Sequence, residues 1–113
     1  MVIILHLLIM SQKLKKYMPE LQVLAKCRPY QRRAFLKHAH KDVIDCVSEV
    51  CTNMLKGNVP LKPAQKKALS HHKHHLRLLA DKRNSNRKRR DILVQKGGFL
   101  GALLGPLLST LLS

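Results

Sequence analysis

Residues 42–56, DVIDCVSEVCTNMLK, form the stretch of sequence that decides the fold. Apolar side chains recur in it every three or four positions, which predicts an amphipathic α-helix with one buried face. The residues of this face are Val43, Val47, Val50, Cys51 and Met54. We expect Asp42 to cap the start of the helix and Gly57 to end it. Three of the six acidic residues lie here, so this segment is predicted to be the structural centre and the part least suited to contact phosphate.

Further helices are predicted on both sides of this segment. Prolines that suit the first turn of a helix indicate short helices at about 19–27 and 29–39, and a longer helix at about 63–81. The apolar stripe of the longer helix consists of Leu69, His72, Leu76, Leu79 and Ala80. The predicted fold class is all-α: a small helical domain over residues 11–81, then a basic flexible arm and a hydrophobic C-terminal helix.

An apolar N-terminal extension, residues 1–10, precedes this domain. Its sequence MVIILHLLIM is too short to span a bilayer, and it lacks the positive start and small-residue cleavage site of a signal peptide. Because a second methionine, Met10, stands where ordinary polar sequence begins, we interpret residues 1–9 as an extension upstream of the usual start. An N-terminal membrane anchor is the alternative.

The charge of the chain indicates a polyanionic partner. In 113 residues there are 22 Lys and Arg against 6 Asp and Glu, which gives a formal net charge of +16. Self-repulsion of this size disfavours a compact state, and DNA, RNA or an anionic membrane would relieve it. The chain has two Tyr, two Phe and no Trp. Since base stacking requires aromatic side chains, this composition favours contact with phosphate over contact with bases.

The basic residues are concentrated in the second half of the chain. The run KRNSNRKRR at 82–90 has six basic residues in nine, and residues 82–96 are predicted to be a flexible basic arm that binds phosphate, serves as a nuclear localisation patch, or does both. A merely solvated run is the alternative. The predicted phosphate contacts are Lys62, Lys66, Lys73 and Arg77 on the longer helix and Lys82, Arg83, Arg87, Lys88, Arg89 and Arg90 on the arm.

Residues 97–113 are predicted to be a double-glycine hinge followed by a leucine-rich tail without charge. The leucines step by three and four, which is the spacing of one helical stripe. They are Leu100, Leu103, Leu104, Leu107, Leu108, Leu111 and Leu112. Small residues on the opposite side suit close helix packing in lipid. The tail is therefore predicted to insert in a membrane, to self-associate, to occupy a groove of a partner such as a capsid protein, or to pack on the helical domain.

No catalytic centre, metal site or cofactor is predicted. The three cysteines, Cys27, Cys46 and Cys51, cannot all pair, and we interpret them as reduced thiols in small apolar positions. The segment HHKHH at 71–75 offers two histidines four apart, but a structural zinc site usually has four ligands. Paired carboxylates in an apolar setting and phosphate-binding glycine loops are both missing from the sequence, so we do not expect an enzyme.

The order of helical unit, basic run, double glycine and leucine-rich tail resembles a known family of virion proteins. Residues 83–112, RNSNRKRRDILVQKGGFLGALLGPLLSTLL, carry this resemblance together with residues 42–69, DVIDCVSEVCTNMLKGNVPLKPAQKKAL. The sequence is similar to the precursor of the small arginine-rich core peptide of adenoviruses, called mu or X. It is more similar to the X-like core proteins of Polinton/Maverick elements and adintoviruses.

The resemblance implies a protein that condenses double-stranded DNA in a virion or in the host nucleus. It also implies cleavage by a viral cysteine protease after the double glycine, at Gly97-Gly98-Phe99, although Gln95 departs from the Met, Ile or Leu that adenoviral sites prefer. The rival function is a membrane-active or membrane-anchored protein, in which the tail inserts and the arm binds anionic headgroups.

Overall fold

The computed structural model describes the backbone of residues 12–112 and the side chains of residues 12–108. The predicted N-terminal extension, residues 1–10, lies outside the described residues. In chain order the α-helices are α1 (Gln12–Lys16), α2 (Met18–Lys26), α3 (Pro29–His38), α4 (Lys41–Leu55), α5 (Pro63–Ser70), α6 (Lys73–Ala80), α7 (Asn86–Lys96) and α8 (Leu100–Leu112), and a 3₁₀ turn (Gly97–Phe99) joins the last two. The backbone of residues 12–112 contains no β-strand, so the predicted all-α class is confirmed.

Helix α4 is the centre of the molecule, as predicted. It packs against α1, α2, α6, α7 and α8. Its buried side chains occupy most of its circumference and are Val43, Ile44, Cys46, Val47, Ser48, Val50, Cys51 and Met54. A helix that is buried on so many sides gains most of its stability from tertiary packing rather than from helix propensity.

Both ends of α4 are defined by local hydrogen bonds. The predicted N-cap was Asp42, and the structure corrects this: the ring nitrogen Nδ1 of His40 accepts from the backbone N–H of Asp42 at 3.0 Å, and Asp42 lies in the first turn. At the other end Gly57 has φ 74°. Its N–H donates to the carbonyl of Met54 and the N–H of Asn58 donates to that of Asn53. This Schellman motif requires the left-handed conformation that glycine adopts freely, so the predicted end is confirmed.

The predicted helix at 63–81 is interrupted, and the structure corrects it to two helices. Helix α5 ends at Ser70 and α6 begins at Lys73. The interruption lets the two halves pack on different parts of the molecule, because α5 lies against α8 whereas α6 lies against α4 and α7. The predicted stripe nevertheless faces the core: Leu69, Leu76 and Leu79 are each at most 5% exposed.

The C-terminal hydrophobic helix exists and packs on the rest of the molecule. Helix α8 contacts α2, α4 and α5. Its described leucines, all at most 6% exposed, are Leu100, Leu103, Leu104, Leu107 and Leu108. The side chains of Leu111 and Leu112 lie outside the described residues. Of the four uses predicted for the tail, the structure shows packing on the helical domain, so the apolar stripe completes the core.

Candidate nucleic-acid interface

The basic run begins in an ordered turn, which corrects the predicted flexible arm at 82–96. The amide of Asn84 donates to the carbonyl of Leu78 at 2.8 Å and so satisfies the end of α6. The hydroxyl of Ser85 accepts from the N–H of Lys88 at 3.1 Å and caps the start of α7. The amide of Asn86 donates to the carbonyl of Lys41 at 2.9 Å. The Asn-Ser-Asn insert therefore forms hydrogen bonds at the ends of helices and is not a flexible spacer.

Two of the predicted phosphate contacts point into the protein instead. One guanidinium nitrogen of Arg90 donates to the carbonyls of Leu36 and Ala39, both at 2.7 Å. These carbonyls lie at the end of α3, where a helix has no partners of its own. Arg89 donates to the hydroxyl of Ser48 at 2.8 Å, and its side chain is only 15% exposed. Both arginines hold α7 against its neighbours, which makes them less suited to contact DNA than the exposed cations of this segment.

Arg83 is neutralised by its neighbour in the turn. Its guanidinium forms two parallel hydrogen bonds with the carboxylate of Asp81, at 3.0 Å from Nε and 2.9 Å from Nη2. These hydrogen bonds lower the pKa of Asp81 to about 2. Because the Arg83 side chain stays 90% exposed, it contributes a dipole rather than a free cation to this surface.

The other predicted contacts lie on the surface. Lys82, Arg87 and Lys88 are exposed, and none forms an ion pair with the described residues. The predicted row is exposed throughout: Lys62 lies just before α5, Lys66 lies on α5, and Lys73 and Arg77 lie on α6. Of these, Lys66 and Lys73 flank the same cavity.

The structure adds a basic row that the sequence analysis missed. Arg33 and Lys37 are exposed and lie four residues apart on α3, and Lys41 is exposed at the start of α4. The bond from Asn86 to the carbonyl of Lys41 places Arg87 beside this row. We call Arg33, Lys37, Lys41, Arg87 and Lys88 the junction surface. The i, i+4 spacing of Arg33 and Lys37, which places both on one face of a helix, is the sequence signal for this row.

The acidic residues offset only part of this surface: Asp91 is exposed on α7, four residues after Arg87, but three other carboxylates are already paired with cations. Lys13 lies 3.4 Å from Asp42 and 3.3 Å from Asp45. Arg89 also lies 3.7 Å from Asp45, and Arg83 forms an ion pair with Asp81. The pairs hold helices α1 and α7 on α4 and leave the outward cations with a net positive field.

Within the described residues, no group of three or more His, Cys, Asp and Glu side chains could hold a metal ion. The HHKHH segment is divided: His71 follows the end of α5 and His75 lies on α6, so the two histidines are not on one continuous helix. Burial raises the pKa of Cys46 to about 12 and also raises the pKa of Cys51. These two thiols are therefore unreactive small apolar side chains, as predicted.

The residues around the candidate cleavage bond are packed. Phe99 is 1% exposed, and its ring stacks on His72 at 5.5 Å and on His75 at 5.9 Å between centroids. Gly97 is buried, and Gly98 is exposed in the 3₁₀ turn. Since proteases favour exposed, loosely held chain, cleavage after Gly98 would require this turn to open first.

Burial lowers the pKa of His75, and the charges of His74, His72 and Lys96 lower it further. The unfolded chain therefore takes up this proton first as the pH falls below about 6.5, and the folded state loses stability. We expect a lower melting temperature at about pH 5.5 than at about pH 7.5 by circular dichroism. His75→Gln should reduce that fall. An equal fall in the parent and in His75→Gln would show that other groups control the pH response.

Within the part of the chain that the structure describes, one helical stretch, Asn86–Leu108, is long and apolar enough to cross a membrane by length and composition, and half of the relevant window is buried inside the fold. A core helix passes the same test, and the tail leucines here have protein neighbours. Comparison with known proteins finds no matching family model, no similar curated protein and no similar solved structure.

Proposed function

We propose that this protein binds double-stranded DNA without sequence specificity and condenses it, as a core protein of a virus-like particle. The observation that carries the proposal is the junction surface: five exposed cations from α3, α4 and α7 lie together and outnumber Asp91, the exposed carboxylate on the same helix as Arg87 and Lys88. The net charge of +16 and the small number of aromatic residues support contact with phosphate. The resemblance to X-like core proteins supports the role in a virion.

In this proposal the junction surface binds one DNA duplex and the α5–α6 row binds a second one. Arg87 and Lys88 lie in the first turn of α7, where the helix dipole also favours an anion. The row of Lys62, Lys66, Lys73 and Arg77 lies on other helices, so one molecule has cations for a second duplex. Neutralising phosphates releases counterions, and contact with two duplexes brings them together. The protein acts by binding, without a catalytic step.

Binding to duplex DNA should depend strongly on salt and hardly at all on sequence. If about five phosphates are neutralised, log K should fall with log salt at a slope of about −4.5. Fluorescence anisotropy with two unrelated duplexes over a range of KCl concentrations measures both properties. A flat salt response, or a strong preference for one duplex, would refute binding driven by phosphate.

The double substitution Arg87→Gln/Lys88→Gln should weaken DNA binding and reduce the salt slope by about 2 units, since each lost phosphate contact removes about one unit. Both side chains are exposed, so the melting temperature should hardly change. The matched control is Lys56→Gln/Lys67→Gln, which removes the same charge from exposed positions outside the two surfaces. If the control weakens binding equally, net charge rather than the junction surface determines affinity.

Membrane binding is the second candidate, favoured by the stretch Asn86–Leu108. In this alternative α8 leaves the fold and inserts its leucines, while the basic residues bind anionic headgroups. Sedimentation with anionic liposomes, compared with DNA binding under the same conditions, separates the two functions. Because the described leucines are buried, we expect DNA binding to be the stronger interaction at physiological salt.

A further inference from the structure

A small apolar cavity opens beside two lysines on the face formed by α4, α5 and α6. Its apolar lining comes from Met54, Leu55, Leu61, Leu69 and Leu76, and its volume is about 200 Å³. Met54, Leu69 and Leu76 are at most 8% exposed and form the floor. Lys66, Ser70 and Lys73 are exposed and form the rim. DNA binding through phosphate uses the lysines but gives no role to the apolar interior.

The two parts of the cavity suit the two parts of an amphiphilic anion. An apolar cavity gains from a hydrocarbon chain, because water there would find few polar partners. Lys66 and Lys73 come from different helices and line the same cavity, and two ammonium groups at one cavity suit a single carboxylate. None of the lining residues carries a negative charge, so nothing at the mouth opposes an anion.

We propose that this cavity binds one free fatty acid of medium chain length, with its carboxylate between Lys66 and Lys73 and its chain against Met54, Leu69 and Leu76. The volume favours a single chain over a two-chain lipid, because about 200 Å³ lies below the roughly 300–1,000 Å³ of sites for larger ligands. This site goes beyond the proposed function, and its occupant would engage two lysines of the DNA-contacting row.

The test is calorimetric titration of the full chain with sodium decanoate below its micelle concentration. We expect saturable binding of one decanoate per chain, and about tenfold weaker binding by Lys66→Gln/Lys73→Gln. The matched control, Lys62→Gln/Lys67→Gln, should bind decanoate as the parent does. Decanol, which has the chain but no charge, should bind the parent more weakly than decanoate.

A second variant tests the interior independently of charge. Ser70→Phe places a ring at the rim from an exposed position and leaves the core intact, so it should block decanoate while preserving helical content and DNA affinity. Unsaturable heat, or equal affinity in the parent, the double lysine variant and Ser70→Phe, would overturn the site. Binding to phosphatidylglycerol vesicles without binding to decanoate would assign the cavity to lipid and also overturn it. Because Ser70→Phe leaves the junction surface unchanged, failure here is distinguishable from failure of DNA binding.

Discussion

Removal of residues 99–113 is expected to unfold the protein. The deletion takes away Phe99 and the buried leucines of α8, and each such side chain contributes about 1.5–3 kcal/mol by burial. Five described leucines and one phenylalanine together exceed about 9 kcal/mol, which is comparable to the whole stability of a small domain. The truncated chain should show low helical content and no cooperative thermal transition by circular dichroism.

Two point variants in the same segment provide a destabilised and a neutral reference for the truncation. Leu104→Ala, which opens a cavity at a fully buried position, should lower the free energy of unfolding by about 2–5 kcal/mol. Gly98→Ala should be nearly neutral, since an added Cβ would meet nothing within 4 Å. A truncated chain that keeps a cooperative transition would show instead that α8 is a separable tail, and the hydrophobic partner would then have to be sought outside the molecule.

Arg90→Ala is expected to destabilise the protein by about 2–4 kcal/mol, because it removes two charge-assisted hydrogen bonds and leaves the carbonyls of Leu36 and Ala39 without this partner. Arg87→Ala, an equal loss of charge three residues away, should change stability by less than about 0.5 kcal/mol. Urea denaturation of both variants measures the difference. If the two cost the same, Arg90 is not the cap that joins α3 to α7.

The variants Arg87→Ala and Arg90→Ala also distinguish an effect on stability from an effect on DNA binding. Arg87→Ala should weaken DNA binding at a given salt concentration while the fold persists. Arg90→Ala should retain its DNA affinity per folded molecule at a temperature where it remains folded. The opposite pattern, with Arg90 lowering the salt slope and Arg87 lowering stability, would reverse the roles that the hydrogen bonds assign to these residues.

Periodicity predicted the parts of the fold that depend on local sequence. Helix α4 was predictable because its apolar positions recur at helical spacing and Gly57 follows as a helix-ending residue. The leucine stripe of α8 was predictable from the same helical spacing. What covers that stripe was not predictable, because burial against α2, α4 and α5 is a tertiary property. The interruption at His71–His72 also escaped prediction, since no Pro or Gly marks it.

The sequence predicted the candidate site only as a segment rich in basic residues, without showing which of them are exposed. The sequence 82–90 presents its arginines as equivalent, yet helical geometry turns Arg89 and Arg90 inward and Arg87 and Lys88 outward. That division depends on where α7 begins, which Ser85 determines, and on the open end of α3 that Arg90 reaches. The contribution of Arg33 and Lys37 depends in turn on the docking of α3 against α7, which no local pattern reveals.

The contact between α2 and α8 has a consequence for synthesis of the protein. These helices are separated along the chain by about three quarters of its length, so the core cannot close until residues 100–108 have left the ribosome. Until then the nascent chain displays its cations beside ribosomal RNA without a folded core. Folding of the core thus waits until α8 has been synthesised, and the basic nascent chain is exposed to a polyanion before that point.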